Sequence, residues 1–362
     1  SMVNLGIMLV LVPRTESIVC EAAINGLERM EWVTAVRFPA TILRVGISVL
    51  LLSKGYSVGV LFATLSAYYT LTVILYVALL LRAVPSFRLQ VNKATTRILA
   101  IQGIPFVAII FIGEGFKRVD RLLLSKLRDT DVVGLYSAGI MPIQLMYLIA
   151  PAIMTALFPM LSRRFVTSKE QFSNLVSRLF KLLFISIFPI MLAIVAFANP
   201  AILLVFGPEY GSSITVLQIS ALGIVPSFLA RLLYRTILAS DNERLTIRVV
   251  LANSLVSLIL NALLIPRYGL VGASIAAVCT ELSGVVQNLY YVDRHVLDFA
   301  FRQALLMPAV CALPSLMMFF ILVRGSIVAA WLSSTALFIG LLLVSRTLTG
   351  RDFVVLPGLF GR

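Results

Sequence analysis

Histidine is nearly absent from this sequence, with one in 362 residues, and cysteine is scarce, with three. Cys20, Cys279 and Cys311 lie in or beside apolar runs without CxxC spacing, which implies neither a disulfide framework nor a zinc site. His295 falls between apolar runs and reads as a solvated loop residue. Charge is the next shortage, at 13% of residues against about a quarter in soluble domains. There is no P-loop, no HExxH and no nucleophile placed with a histidine base. These absences exclude the common enzymatic constellations and an internal ATP site, so neither catalysis nor a cofactor or metal is expected. No signal peptide is evident.

What is present is apolar surface, with 60% of residues hydrophobic. Such a chain cannot cover itself with polar groups, and lipid must be its outer solvent. A hydrocarbon core about 30 Å thick takes roughly 20 apolar residues per helix. Eleven candidate spans satisfy this, at 3–24, 33–53, 57–82, 97–116, 134–161, 179–206, 212–239, 245–265, 269–292, 303–323 and 326–346. The first is the weakest, because Pro13, Arg14 and Glu16 interrupt it. Strands of alternating polarity are absent, so the expected fold is an all-α polytopic membrane protein.

The net charge of +14 would suggest nucleic acid in a soluble protein. Here the cations sit in alternate connections: Arg29 and Arg37; Arg82, Arg88, Lys93 and Arg97; Arg163, Arg164, Lys169, Arg178 and Lys181; Arg244 and Arg248; Arg294 and Arg302; Arg346, Arg351 and Arg362. The positive-inside rule accounts for that pattern without nucleic acid, and predicts a cytoplasmic C-terminus.

Residues 26–59 and 240–272 read as two copies of one pattern. Glu28-Arg29 matches Glu243-Arg244, and Gly55-Tyr56-Ser57-Val58-Gly59 resembles Gly269-Leu270-Val271-Gly272. Each copy is a Glu-Arg hinge, an apolar helix, a basic glycine turn and a second helix. The copies lie six spans apart, an even number, so the repeat is parallel and predicts duplicated halves. Upstream of the second hinge lie four spans, beginning near residue 97, and upstream of the first lies only one weak span. By repeat arithmetic about three helices, on the order of 100 residues, are expected to be missing before the first hinge. The expected domains are a partial N-terminal bundle over 1–90, a six-helix bundle over 91–295, and two additional helices with a cytoplasmic tail over 296–362.

Intramembrane cations are costly, by about 2.5–3.5 kcal/mol on insertion scales, and so mark candidate sites. Arg44 lies in the middle of span 33–53, among apolar and small residues. Arg231 and Arg235, four residues apart, share one helix face beside Tyr234. Lys117, Arg118, Asp120 and Arg121 follow a polar segment containing Glu114, and lie within the membrane if that helix runs on to Leu127. For each cation the alternative is a structural pair or a snorkelling side chain. Glu281, in the middle of span 269–292, and Asp120 are candidates for coupling to H+ or Na+, or structural acids. Asn253, Asn261, Gln287 and Asn288 read as interhelical hydrogen bonders or as polarity for a sugar.

Several short runs resemble polysaccharide repeat-unit (O-antigen and oligosaccharide) flippases of the multidrug/oligosaccharidyl-lipid/polysaccharide exporter superfamily. Asp120-Arg121-Leu122-Leu123-Leu124 followed by Val133-Gly134-Leu135-Tyr136-Ser137-Ala138 is similar to that family's "DRLLL…VGLYSAA" stretch. Thr155 to Ser162, Phe206-Gly207-Pro208-Glu209-Tyr210, Leu264-Ile265-Pro266-Arg267-Tyr268-Gly269 with Gly272-Ala273-Ser274, and Gly26-Leu27-Glu28-Arg29 are similar to further stretches, in the same order. The family's first three helices have no counterpart here. The resemblance implies a V-shaped pair of six-helix bundles around a central cavity, with two extra C-terminal helices. It implies a flippase of the cytoplasmic (inner) membrane, moving a polyprenyl-diphosphate-linked oligosaccharide by alternating access. It also implies contact with membrane lipid and with the polysaccharide polymerase machinery. The alternatives are a multidrug or cation antiporter of the same superfamily, a membrane-bound polymerase or glycosyltransferase, and an inactive truncated form. An antiporter wants acids in its cavity, and a polymerase wants large outer loops; this sequence has few of either.

Overall fold

Apolar helices in lipid must satisfy every backbone group within their own ladders. The computed structural model follows that rule: among the described residues there are helices and no strand. It describes residues 2–27, 29–56, 59–83, 118–240, 242–297, 302–323, 325–345 and 347. The expected span 97–116, Lys117 and the tail cations Arg351 and Arg362 lie outside them. Seven described helices are long and apolar enough to cross a membrane, or eight if one bent pair counts as a span. The chain divides into two compact units, Ser1–Gln102 and Gly103–Arg362.

The first unit contains α1 (Met2–Gly26), α2 (Met30–Ser53) and α3 (Gly59–Ala83). Pro13 does not break α1, which continues to Gly26. Hydroxyl pairs join the three helices: Ser17 with Thr72, Thr41 with Tyr68 and Ser48 with Thr64, each at 3.2 Å. Tyr76 donates to the Val33 carbonyl at 3.4 Å. Interhelical hydrogen bonds of this kind hold helices together where lipid supplies no hydrophobic drive.

The first described helix of the second unit is the short α4 (Val119–Leu127), with Arg118 as a turn residue before it. Then come α5 (Thr130–Thr167) and α6 (Lys169–Phe206), with Ser168 capping α6 through the Gln171 N–H. A 3-10 turn at Pro208–Tyr210 leads into α7 (Gly211–Ala221) and α8 (Ile224–Ala239). The sequence reads 212–239 as one span, but it is two helices bent by 41°. Pro226 explains the break: it has no N–H for the Leu222 carbonyl and its ring crowds that residue.

Next is α9 (Glu243–His295), which breaks at Gly269 (φ 55°, ψ −125°) into the two arms expected at 245–265 and 269–292. Gly55, its counterpart in the other repeat copy, also has positive φ, at 80°. Both copies therefore use glycine for a backbone conformation that side chains resist. At the break in α9, Arg128 donates from Nη2 to the Pro266 carbonyl at 3.0 Å, filling an acceptor that the interrupted ladder leaves open.

The chain then passes through a π turn (Arg302–Leu306) into α10 (Met307–Leu322) and α11 (Ile327–Val344). The centre of this unit is α6, whose Phe184 and Phe188 pack with Phe338 of α11, the latter pair at 4.5 Å between ring centroids. Trp331 donates to the Pro189 carbonyl at 3.1 Å, and Lys181 to the Thr347 carbonyl at 2.8 Å. These contacts fasten α11 along α6.

Gly139 lies at a close approach of α5 and α7. A Cβ there would lie 2.6 Å from Val216 Cγ1 and 2.8 Å from the Ser213 carbonyl oxygen. Gly46 on α2 has nothing within 4 Å of the same position. Gly139→Ala should therefore cost about 1–3 kcal/mol. It should lower the thermal midpoint of the purified protein, while Gly46→Ala leaves it unchanged or raises it.

Candidate functional site

A guanidinium in an apolar helix needs an acceptor or a π face. Arg231, on α8, takes the π face of Tyr147 from α5, with Cζ 4.6 Å from the ring centroid. The Tyr147 hydroxyl donates to Glu281 Oε1 on the second arm of α9, at 3.5 Å. Three helices thus bring a cation, a phenol and a carboxylate together. Gly223, just before α8, packs against this grouping, and a Cβ there would lie 3.7 Å from Glu281 Cγ, in ordinary contact.

The grouping leaves bonding capacity unused. Arg231 Nε is buried without an acceptor, and Arg231 is in no ion pair among the described residues. One turn earlier on the same face, Ser227 brings its hydroxyl to the same grouping, beside Tyr147 and Glu281. Arg235, one turn later, lies over Phe158 of α5 at 5.9 Å. A stack on a ring meets the charge of a guanidinium but leaves its planar fork of N–H donors free, the geometry that binds carboxylate or phosphate.

The first unit holds a similar pair. Arg44 of α2 lies 5.3 Å from the ring centroid of Tyr68 on α3, and its Nε is buried without an acceptor. Here the tyrosine hydroxyl pairs with Thr41, a neutral group.

The α4 cations are placed differently. Arg118 is exposed and Arg121 half-buried. Asp120 accepts the Tyr136 hydroxyl at 2.8 Å through Oδ2 and the Arg121 backbone N–H at 2.8 Å through Oδ1. Both of its oxygens are therefore engaged, and Tyr136 is 1% exposed, which makes this a well-anchored joint between α4 and α5. The side-chain oxygens of Asn253, Asn261, Gln287 and Asn288 on α9 are buried without donors. Asn253 faces Gly284 across the two arms.

Sequence reasoning missed the three rings, Tyr147, Tyr68 and Phe158. A signal was available for the tyrosines: a phenol deep in an apolar span must find a partner for its hydroxyl.

The chain resembles known proteins over long stretches. Residues 7–215 match the family described as polysaccharide biosynthesis protein. A capsular polysaccharide biosynthesis protein of Staphylococcus aureus is 26% identical over 207 residues, 56% of this chain and 52% of that protein. A putative O-antigen transporter of Shigella flexneri is 27% identical over 43% of this chain and 37% of its own length. A probable low-salt glycan biosynthesis flippase of Haloferax volcanii is 24% identical over 66% and 50%. The chain thus spans about half the length, or less, of these relatives. A solved lipid II flippase in an inward closed conformation has the same fold, with a TM-score of 0.72 at 16% identity, covering 95% of this chain and 74% of that one.

The two tyrosine contacts differ in what they should contribute. Tyr136→Phe strips a short bond from a carboxylate and should cost about 1–3 kcal/mol, whereas Tyr68→Phe loses a bond between neutral groups and should cost about 1 kcal/mol or less. Thermal denaturation of the two purified variants should show the larger drop for Tyr136→Phe.

Proposed function

This chain belongs to the polysaccharide biosynthesis protein family, and from that premise we propose that it is a flippase, moving a polyprenyl-diphosphate-linked oligosaccharide across the cytoplasmic membrane by alternating access. The observation that carries the reading is the state of Arg231 and Arg44: each is set in an apolar helix, stacked on a tyrosine, with Nε free of any acceptor. A diphosphate headgroup supplies the oxygens these forks lack, in surroundings of low dielectric where the attraction is strong. The donor-free amide oxygens of Asn253, Gln287 and Asn288 fit hydroxyl donors of a sugar. The polyprenyl tail needs no polar partner and stays in lipid.

In this reading the protein binds and moves its cargo and makes or breaks no covalent bond. Arg235 supports Arg231 one turn away on the same face, and Lys117, Arg118 and Arg121 supply further positive charge for the headgroup. Glu281 is the better placed of the two coupling candidates, because both oxygens of Asp120 are already engaged. The coupled ion is H+ or Na+. The alternate basic connections orient the chain with its C-terminus in the cytoplasm, where contact with the polymerase machinery becomes feasible.

Complementation of a strain lacking its own repeat-unit flippase tests the function, using this chain and a version extended upstream. Surface polysaccharide should return, and Arg44→Ala combined with Arg231→Ala should reduce it by about tenfold or more at equal membrane abundance, as expected for loss of charge-assisted bonds. Unchanged polysaccharide in the double variant would remove the headgroup role of both arginines. Topology has its own readout: green fluorescent protein fused to the C-terminus should fluoresce, and alkaline phosphatase fused there should stay inactive.

A further inference from the structure

Glu281 and Arg231 carry opposite charges and share one phenol, yet they do not pair. Tyr147 contacts both. Its hydroxyl occupies Glu281 Oε1 at 3.5 Å, while its ring holds the guanidinium 4.6 Å from its centroid. The hydroxyl contact is long, at the limit of a hydrogen bond, and the ring contact leaves Arg231 Nε with no acceptor. Neither hold is strong. A direct Arg–carboxylate pair is the stronger alternative open to both groups, and both side chains are long enough to change rotamer.

Carboxylate and phosphate are the two anions that a guanidinium fork fits best. A transport site must take up its ligand and also let it go, so binding that is too tight is as damaging as binding that is too weak. From the geometry, and resting on the reading of Arg231 as a headgroup ligand, we infer that Glu281 is a built-in competitor of the substrate's phosphate for Arg231, with Tyr147 as the arbiter. While Tyr147 holds the carboxylate, Arg231 is available to an incoming anion. When Glu281 leaves the phenol for Arg231, it displaces the phosphate and speeds release. The Arg44 site differs, since the hydroxyl of its tyrosine is matched to Thr41, a group without charge. Release is therefore controlled in the second unit.

The competitor role predicts effects of opposite sign from two substitutions at one contact. Geranyl diphosphate serves as a soluble probe, titrated against the purified chain in lipid nanodiscs. Glu281→Gln keeps the shape and removes the competing charge, so the probe should bind about tenfold more tightly. Tyr147→Phe keeps the ring under Arg231 but frees Glu281 to pair with it, so the probe should bind several-fold more weakly. Adding Glu281→Gln to Tyr147→Phe should restore tight binding. Purely structural roles for the two residues would weaken binding in both single variants. Shifts in the same direction, or no shift in Glu281→Gln, overturn the inference. Arg231→Ala separates the two claims: lost binding there, with Glu281→Gln unchanged, removes the competitor and keeps the headgroup reading. Equal binding by wild type and Arg231→Ala removes both.

Discussion

Where the surroundings are hydrocarbon, water is not available to complete a hydrogen bond, and each polar group must find its partner within the chain. The Arg128 bond to the Pro266 carbonyl, the Trp331 bond to the Pro189 carbonyl and the Lys181 bond to the Thr347 carbonyl answer that requirement where helices bend or end. The hydroxyl pairs between α1, α2 and α3 answer it between helices. Against such thorough matching, the groups left unmatched stand out. Arg44, Arg231 and the amide oxygens of α9 keep capacity that the folded chain does not use, which is what a site for a polar ligand requires.

The same constraint explains why aromatic rings sit under these half-buried cations. A stack on Tyr147 or Tyr68 lowers the electrostatic cost of a guanidinium without consuming its donors. An ion pair would satisfy the cation more fully but would also occupy the fork. The surface pair Arg37–Glu21, at 3.0 Å, shows the other choice.

Much of the fold was legible in the sequence because hydrophobic length and helix punctuation are local properties. The break between 245–265 and 269–292 followed from a glycine beside a basic turn, and it recurs at Gly55 in the partner copy with the same sign of φ. The bend inside 212–239 was written at Pro226, but a continuous apolar run masks a break that leaves hydropathy unchanged. Among the site residues, Arg44 and Arg231 stood out through the cost of their charge. Tyr147 did not, because an apolar ring with one hydroxyl looks like span material until its neighbours on α8 and α9 are known. The engagement of Asp120 by Tyr136 was hidden for the same reason: residues sixteen apart meet only once the break after α4 has turned the chain.

The docking of α11 on α6 has a consequence for how the chain is made. Phe188 is synthesised 150 residues before Phe338, the ring that covers it. At about 5–20 residues per second, α6 enters the membrane roughly 8–30 s before its aromatic face can close. During that interval lipid or the insertion machinery must shield Phe184 and Phe188. The most central helix of the second unit is thus among the last to reach its final environment, and a ribosome that stalls before α11 leaves behind a membrane protein with an open seam, ready to be recognised by quality-control proteases.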